Sequence, residues 1–286
     1  MSRPPDDNRL VHDDGNVLAS EASRSDAHGW IDASEQASLM SVAHLVRGRR
    51  ILDIGVGTGR TTELLTLLSD QYVGIDYAPK RVEMCRERFP ARDIRFGDAR
   101  HLSDFANESF EFVFFSFNGI DYINHDERIS TLSEIHRVLV PDGIFGFSTL
   151  NRDGPAHDER PWQLHRPGQR LQVTPRKAMR LAWVTATDPT RLWRRSRNWK
   201  RNRHRSEWGP EWSIRPLSTL DFSLLQHFVT LRGLRAELAE ASFETLSIWE
   251  SEYANISWPA RVVGDEEAAS RAVGFQVVAI RPGAHG

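Results

Sequence analysis

The stretch "ILDIGVGTGR" (Ile51–Arg60) joins a short apolar run to a turn that contains three glycines at alternate positions. The apolar run predicts a buried strand. Glycine permits a positive φ and a close approach of the backbone to a ligand. The residues from Thr58 onward, "TGRTTELLTLLSD", predict a helix, whose N-terminus presents free N–H groups and a partial positive charge. This strand, turn and helix together suit a nucleotide-like ligand with an anionic end.

Strand and helix patterns alternate on both sides of this turn. Four more apolar runs predict strands: "QYVGIDY", "DIRFGDA", "SFEFVFFSF" and "IFGFSTL". A capping box formed by Asp32 and Glu35 predicts an earlier helix that runs to about Val46. Late in the chain, "TLRGLRAELAEA" predicts a helix, and "SFETLSIWE" and "VGFQVVAIRP" predict two strands. The alternation predicts an α/β fold with a mostly parallel sheet, helices on both faces and right-handed crossovers.

Acidic residues mark the first three predicted strands. Asp53 precedes the glycine turn, Asp76 ends the second strand, and Asp98 ends the third. The carboxyl ends of neighbouring parallel strands line one crevice, so we expect the three side chains to converge, with Asp76 placed to accept hydrogen bonds from a ribose. Each acid taken singly is equally suited to capping the helix that follows it. Three acids at successive strands favour the binding crevice.

The combined pattern resembles the class I S-adenosylmethionine-dependent methyltransferases, in particular those that act on small molecules. The resemblance rests on the glycine turn, on Asp76, on "GDA" at residues 97–99, on the aromatic fourth strand and on "EIHRVLVPDGIFGFS" at residues 134–148. In the last motif Asp142 replaces the first of two usual glycines, and aspartate is a good turn residue. The resemblance implies a Rossmann-like sheet of seven strands with the last strand antiparallel, and S-adenosyl-L-methionine as the cofactor.

The resemblance also implies roles for particular residues. The glycine loop would hold the methionine moiety, Asp76 the ribose, and Tyr77 the adenine ring, while residues 98 and 99 would contact the adenine edge. Residues 116–118 would face the sulfonium and the substrate. The implied cofactor-binding residues are Asp53, Gly55, Gly57, Gly59, Asp76, Tyr77, Asp98, Ala99 and Ser116.

A nicotinamide-dependent dehydrogenase would share the glycine turn and the ribose acid. The usual spacing in that class is Gly-x-Gly-x-x-Gly, but Arg60 occupies the position of the third glycine. The "GDA" acid and the Pro-Asp-Gly turn also have no role in a dehydrogenase. The sequence therefore favours a methyltransferase over an oxidoreductase.

Methyl transfer needs a general base only when the acceptor holds its proton near neutral pH, as an alcohol does. Asn118 is the first candidate for a hydrogen-bonding residue near the methyl group, although a plain turn with Gly119 explains it equally well. His125 is the candidate base, with Asp121, His157 and His165 as further candidates. We expect no metal site.

A basic segment interrupts the alternation after the fifth strand. Residues 151–216 hold sixteen Lys/Arg, six Asp/Glu and six of the nine tryptophans, in a chain of net charge −2. Helices are predicted at about 175–186 and 189–202, and "RSEWGPEWSIRP" is predicted as a loop. Three hypotheses compete for the segment: a cap that binds an anionic or aromatic small molecule, an RNA or DNA surface, and a solvated basic helix or subunit interface.

The predicted organisation has four parts. They are a disordered tail (1–29), the cofactor-binding part (30–150), a basic Trp- and Arg-rich insertion (151–222) and the C-terminal part of the same domain (223–286). The single cysteine and the absence of an apolar leader or membrane-length run predict a cytoplasmic protein that makes no membrane contact. A methyltransferase with a small-molecule acceptor is the favoured function. A nucleic-acid methyltransferase and a non-catalytic cofactor-binding or scaffold protein are the alternatives.

Overall fold

The computed structural model describes residues 31–162, 190–251 and 260–283. The predicted tail (1–29), the helix predicted at about 175–186 and the candidate base His165 lie outside these ranges. Among the helices that are described, none has the length and apolar content needed to cross a membrane.

The described segments contain ten strands, seven α-helices and three short 3₁₀ turns. The strands are β1 (Ile51–Ile54), β2 (Tyr72–Asp76), β3 (Asp93–Phe96), β4 (Phe110–Phe115), β5 (Leu139–Asn151), β6 (Glu207–Trp208), β7 (Trp212–Pro216), β8 (Leu225–Val229), β9 (Glu244–Ser251) and β10 (Gly274–Ile280). The helices are α1 (Ala33–Val46), α2 (Thr62–Leu68), α3 (Pro79–Arg88), α4 (His125–Val138), α5 (Arg191–Asn202), α6 (Leu231–Glu240) and α7 (Glu266–Ala269). The 3₁₀ turns are Gly119–Tyr122, Arg203–Arg205 and Thr219–Phe222.

Seven strands form the central sheet in the order β3-β2-β1-β4-β5-β10-β9. The pairs from β3 to β5 are parallel, and β10 is antiparallel to both of its neighbours. This arrangement confirms the predicted fold. Because β1, β2 and β3 are parallel neighbours, their carboxyl ends meet at one edge, where Asp76 and Asp98 lie close to the glycine turn.

Strand β4, "FEFVFF", contributes to apolar layers on both faces of the sheet, as its continuous aromatic run predicted. Phe112 and Phe114 pack towards α1, α2 and α3. Val113 and Phe115 pack towards α4 and α6. This alternation follows from the two-residue period of a strand. The sheet edge that carries the glycine turn is therefore held rigidly from both sides.

The predicted capping box opens α1. The Asp32 carboxylate accepts a hydrogen bond from the backbone N–H of Ser34 at 2.8 Å, and the Glu35 carboxylate accepts one from the backbone N–H of Asp32 at 3.2 Å. The helix ends at Val46, as the sequence indicated. The box fixes Glu35 at the start of a helix that packs against the sheet.

The segment after β5 adds three strands to the sheet, beyond the seven of the core. Strand β8 runs parallel to Leu150 and Asn151, past the last residue of β5 that pairs with β4. Strand β7 is antiparallel to β8, and β6 is antiparallel to β7. The prediction of a loop for "RSEWGPEWSIRP" was wrong, because these strands are stabilised by pairing with β8 and not by local propensity. The added strands extend the sheet beyond the carboxyl end of β4.

Helix α5 begins and ends close to the predicted bounds, but it packs through a polar face. Its buried side chains belong to Arg195 and Asn202, whereas Leu192 is 36% exposed. The polar side chains bury because Asp221 and the backbone carbonyls that follow it supply hydrogen-bond partners.

Candidate active site

The glycine loop between β1 and α2 has the backbone geometry that its residues predicted. Gly55, Gly57 and Gly59 have φ values of 68°, 57° and 89°. The backbone N–H of Gly57 donates to Asp76 Oδ2 at 2.9 Å, and that of Gly55 donates to the carbonyl of Ile75 at 2.8 Å. The loop is therefore tied to the end of β2, where the ribose acid was predicted.

Two of the three glycines serve different needs. A Cβ added to Gly59 would lie 2.3 Å from the Phe89 ring and 3.1 Å from the sulfur of Cys85. A Cβ added to Gly57 would meet nothing closer than 3.9 Å. Packing thus requires glycine at position 59, whereas position 57 has room for a Cβ.

Asp76 at the end of β2 and Asp98 just after β3 are held by different hydrogen-bond partners. Asp76 is 2% exposed, and its second oxygen accepts from the backbone N–H of Ala78 at 2.9 Å. Asp98 forms a bidentate pair with Arg100, with a shortest N–O distance of 2.6 Å. Burial by itself would raise the pKa of Asp98, but its hydrogen bonds with Arg100 outweigh burial and lower it. The lowered pKa keeps Asp98 an anion, and two backbone N–H groups, those of Gly57 and Ala78, hold the Asp76 carboxylate in place.

The two residues beside these acids supply apolar surface. The side chain of Tyr77 is half-buried, and burial raises the pKa of its phenol well above the usual range, so it stays neutral. Ala99 is 7% exposed. A neutral aromatic ring and a small side chain suit the adenine contacts that the resemblance implied.

Asp53 lies in the interior beneath the glycine loop. Its Oδ2 accepts hydrogen bonds from the hydroxyls of Thr61 and Tyr72, both at 2.8 Å, while its Oδ1 is buried with no hydrogen-bond partner among the described residues. Burial raises the pKa of Asp53 to about 7. Within the described residues Asp53 thus braces the loop from below and does not join the other two acids.

Arg60, which directly follows the glycine loop, forms an ion pair with Glu35 that the sequence did not indicate. The Arg60 guanidinium binds both oxygens of Glu35 at 2.7 Å and also donates to Ser116 Oγ at 2.9 Å. It lies over the Phe117 ring, 5.0 Å from the centroid. The sequence shows Arg60 directly after the third glycine, but it does not identify the partner, Glu35, which is 25 residues away. The pair joins α1, the glycine loop and the end of β4.

The backbone is strained where β4 ends. Phe117 and Asn118 have φ values of 51° and 56°, which non-glycine residues seldom adopt. The backbone N–H of Asn118 donates to Ser148 Oγ at 2.8 Å, and its buried Oδ1 has no hydrogen-bond partner among the described residues. Strain of this kind persists where the surroundings enforce it, and it clusters at functional sites. The interpretation of Asn118 as a mere turn residue does not account for its buried, unpaired oxygen.

His125 lies at the first position of α4 against the added strands. Its ring stacks on Trp212 with centroids 4.1 Å apart, and its Nδ1 lies 3.1 Å from Nε2 of His227. The Glu237 carboxylate is 3.7 Å from the same Nδ1. Burial lowers the pKa of both histidines, so both rings are neutral at pH 7. No local pattern indicated His227 or Glu237, because they follow the insertion.

The buried side chain of Arg128 links several residues near His125 by hydrogen bonds. Arg128 is fully buried and donates to Asp121 Oδ1 at 2.8 Å, to Glu237 Oε2 at 2.9 Å and to Thr149 Oγ1 at 3.0 Å. The other oxygen of Asp121 accepts from the backbone N–H of Leu150 at 2.7 Å. Asp121 is thus an ion-pair partner inside the protein, a role that the sequence did not indicate when it made Asp121 a candidate base.

The basic insertion also forms a pocket of about 340 Å³ whose lining includes Arg203, Arg215, Trp199 and Trp208. Arg203 lies over Trp199 and Arg215 over Trp208, at 4.8 and 5.2 Å from the ring centroids. Trp212 and Arg215 are three residues apart in β7, so they point to opposite faces. This pocket therefore lies on the face of β7 that is turned away from His125.

His157 contacts the side of the insertion that carries this pocket. Its Nε2 is 3.0 Å from Ser213 Oγ, and its ring meets the Trp208 ring edge-on. Burial lowers the pKa of His157 to about 4. The structure therefore does not bring His157 together with His125.

Comparison with known proteins gives a family match for about a third of the chain. Residues 51–143 match a protein-family model described as a methyltransferase domain. A "Probable S-adenosylmethionine-dependent methyltransferase" of Mycolicibacterium smegmatis is 33% identical over 39% of this chain and 42% of its own length. The ubiquinone biosynthesis O-methyltransferase of Azorhizobium caulinodans is 32% identical over 37% of this chain and 42% of its own length. The chain thus spans about two fifths of the length of these relatives.

Solved structures share the fold over most of the chain. An S-adenosylmethionine-dependent methyltransferase from Mesorhizobium loti covers 87% of this chain and 98% of its own, with 18% identity and a TM-score of 0.55. The 1,6-didemethyltoxoflavin-N1-methyltransferase of Burkholderia thailandensis, solved with its substrate and S-adenosylhomocysteine, covers 99% and 92%, with 16% identity and a TM-score of 0.54. At these identities the likeness is one of fold.

Proposed function

We propose that this chain, whose residues 51–143 match a methyltransferase-domain model, transfers the methyl group of S-adenosylmethionine to a small-molecule acceptor. One observation carries the proposal. The backbone N–H of Gly57 donates to Asp76 Oδ2 at 2.9 Å, and this bond links the proposed methionine and ribose subsites at the carboxyl ends of β1 and β2.

The bound cofactor supplies a methyl group that is already activated by a sulfonium. The residues of the chain hold the cofactor and the acceptor in position for the transfer. In this proposal the glycine loop holds the methionine moiety, Asp76 holds the ribose, and the adenine lies against Tyr77 and Ala99. The alignment of acceptor and methyl group can contribute several kcal/mol to lowering the barrier. Asn118, whose buried oxygen has no partner among the described residues, is proposed to hydrogen-bond near the methyl group.

The acceptor is proposed to bind between Asn118 and His125. Trp212 gives this region an aromatic wall, and the His125 side chain is 24% exposed, so a ligand can reach it. Because burial keeps the His125 imidazole neutral at pH 7, it can accept a proton from a hydroxyl or a ring N–H. Relatives named ubiquinone biosynthesis O-methyltransferase and demethylmenaquinone methyltransferase support an acceptor of low molecular weight.

Calorimetry with S-adenosylhomocysteine tests the cofactor site. We expect wild-type binding in the micromolar range and at least a tenfold weaker affinity for Asp76→Ala, about 1.4 kcal/mol or more, because the variant loses the ribose acceptor. Asp70→Ala is the matched control, since Asp70 is exposed and pairs with Arg92 on the surface. Equal affinities for wild type and Asp76→Ala would remove the ribose assignment.

Mass spectrometry of a metabolite extract, incubated with the protein and methyl-labelled cofactor, tests turnover. Labelled product that forms with wild type and falls at least tenfold with Asn118→Ala is the expected result. Cofactor binding without any labelled product would favour the non-catalytic alternative.

A further inference from the structure

Three metal-ligand atoms converge where the insertion meets the core. They are His125 Nδ1 at the start of α4, His227 Nε2 on β8 and Glu237 Oε1 on α6, and they lie 3.1, 3.7 and 3.9 Å apart. A point equidistant from the three atoms lies about 2.1 Å from each, which matches zinc–nitrogen and zinc–oxygen bonds of about 2.0–2.2 Å. The three atoms thus lie at bonding distance from a common point.

The surroundings hold these three side chains in place. Trp212 stacks on the His125 ring, and the rings of His125 and His227 are parallel to within 3°. Arg128 Nε binds the far oxygen of Glu237 at 2.9 Å, and Asp121 balances the charge of Arg128. Groups in these positions orient metal ligands and tune their affinity. Arg128 therefore binds one oxygen of Glu237 and leaves Oε1 facing the two histidines.

One atom of the cluster lacks a partner. Glu237 is 5% exposed, and its Oε1 accepts no hydrogen bond from the described residues. Its distances of 3.7 and 3.9 Å to the two histidines are too long for hydrogen bonds. A proton shared by the histidines would satisfy their nitrogens and leave this buried oxygen unsatisfied, whereas a cation at the common point would satisfy all three atoms.

We propose that His125, His227 and Glu237 bind a divalent transition-metal ion, with zinc as the first candidate. Two imidazoles and one carboxylate suit zinc, and the partly exposed side of His125 leaves a coordination position for water or for an acceptor oxygen. An acceptor hydroxyl bound there would lose its proton more readily. If His125 Nδ1 binds the ion, this nitrogen does not act as the general base. The site itself does not depend on the proposed methyl transfer.

Zinc titration of the chelator-treated full chain, without cofactor, tests the site. Competition with a chromophoric chelator, followed by absorbance, measures the affinity. It is expected to give one zinc ion bound with a dissociation constant of about 1 µM or tighter. Glu237→Gln keeps the side-chain shape and His227→Ala removes a ligand, and each is expected to weaken binding at least tenfold. His44→Ala is the control, because His44 is an exposed histidine on α1.

Cobalt substitution gives a second readout. Visible absorption bands of a low-coordinate Co²⁺ site are expected for wild type and His44→Ala, and their loss is expected for His227→Ala and Glu237→Gln. S-adenosylhomocysteine binding by each variant reports whether it has folded. A zinc dissociation constant clearly weaker than about 1 µM in wild type, or equal affinity in wild type and in a folded Glu237→Gln variant, would overturn the proposal. Neither result bears on cofactor binding.

Discussion

Gly57 and Gly59 are two residues apart, and both have a positive φ, yet a Cβ would meet different surroundings at each. At position 59 it would strike the Phe89 ring, and at position 57 it would meet no atom closer than 3.9 Å. The side chain below them, Asp53, is fully buried with one oxygen unpaired among the described residues. Packing therefore requires glycine at position 59, whereas at position 57 only the positive φ and the proposed ligand contact favour it.

Alanine at the two glycines should separate these needs. Gly57→Ala should lower the free energy of unfolding by about 1 kcal/mol, the cost of a left-handed alanine, and weaken S-adenosylhomocysteine binding at least tenfold. Gly59→Ala should lower the free energy of unfolding by about 3 kcal/mol or more, because a ring clash is added to the strain. Urea unfolding and calorimetry measure the two effects. Wild-type affinity in Gly57→Ala would contradict the ligand approach proposed here.

The stability of the protein should depend on pH through Asp53. Burial raises its pKa from 3.8 to about 7, so between these pH values the folded state binds more protons than the unfolded state. The contribution of Asp53 to stability is therefore full below pH 3.8 and is lost as the pH rises through about 7, with a total change of up to about 4 kcal/mol. Urea unfolding of wild type and Asp53→Asn from pH 4 to pH 8 measures it. The free energy of unfolding of wild type should fall relative to that of the variant as the pH rises. A constant difference between the two would exclude the raised pKa of Asp53.

At the scale of elements, α5 shows how a basic helix packs without an apolar face. Arg191, Arg194 and Arg195 converge on the carboxylate of Asp221 at 3.4, 2.8 and 3.4 Å. Asn202 donates to the carbonyl of Phe222 at 2.8 Å. Much of the positive charge on this helix therefore has a structural partner.

Asp221→Asn should loosen α5 while leaving the cofactor site intact. The amide keeps the tolerance for the positive φ of this residue but loses its charge, so local opening of residues 191–202 should become easier by about 1–2 kcal/mol. Most of this comes from the buried Arg195, since the pairs with Arg191 and Arg194 are solvent-screened. Hydrogen exchange read by mass spectrometry measures it. Asp158→Asn is the control, because Asp158 pairs with Arg215 but is 77% exposed; an equal effect in both variants would contradict the role of Asp221.

At the scale of the whole molecule, a basic insertion lies within a chain of net charge −2. Several of its arginines are engaged internally: Arg215 pairs with Asp158, and Arg152 donates to backbone carbonyls of residues 209, 210 and 212. The pocket that holds Arg203 and Arg215 also faces away from His125. The charge of the insertion therefore supports a structural role more than a phosphate-binding surface that feeds the active site.

Nucleic-acid binding should accordingly be weak. Fluorescence anisotropy with labelled RNA and DNA oligonucleotides is expected to give dissociation constants weaker than about 10⁻⁴ M at 150 mM salt. Measurement at several salt concentrations distinguishes a phosphate surface, whose affinity falls steeply with salt, from stacking on the tryptophans. Micromolar binding with a steep salt dependence would favour the alternative of a nucleic-acid methyltransferase over the small-molecule proposal.

The sequence by itself determined the elements that depend on local patterns. The period of the apolar residues placed the core strands, the Asp32–Glu35 box placed the start of α1, and the glycine spacing placed the positive φ values of the loop. These features were predictable because a helix cap, a strand period and a glycine turn each involve residues within a few positions of one another.

Only the tertiary structure decided the contacts between distant residues. Glu35 meets Arg60 across 25 positions, His125 meets His227 across 102, and Arg128 meets Glu237 across 109. The register of β8 on β5 and the packing of α6 against α4 set the last two contacts, and neither leaves a local pattern in the sequence. The glycine loop was therefore predictable from the sequence, whereas the cluster of His125, His227 and Glu237 exists only because the fold brings three separate elements together.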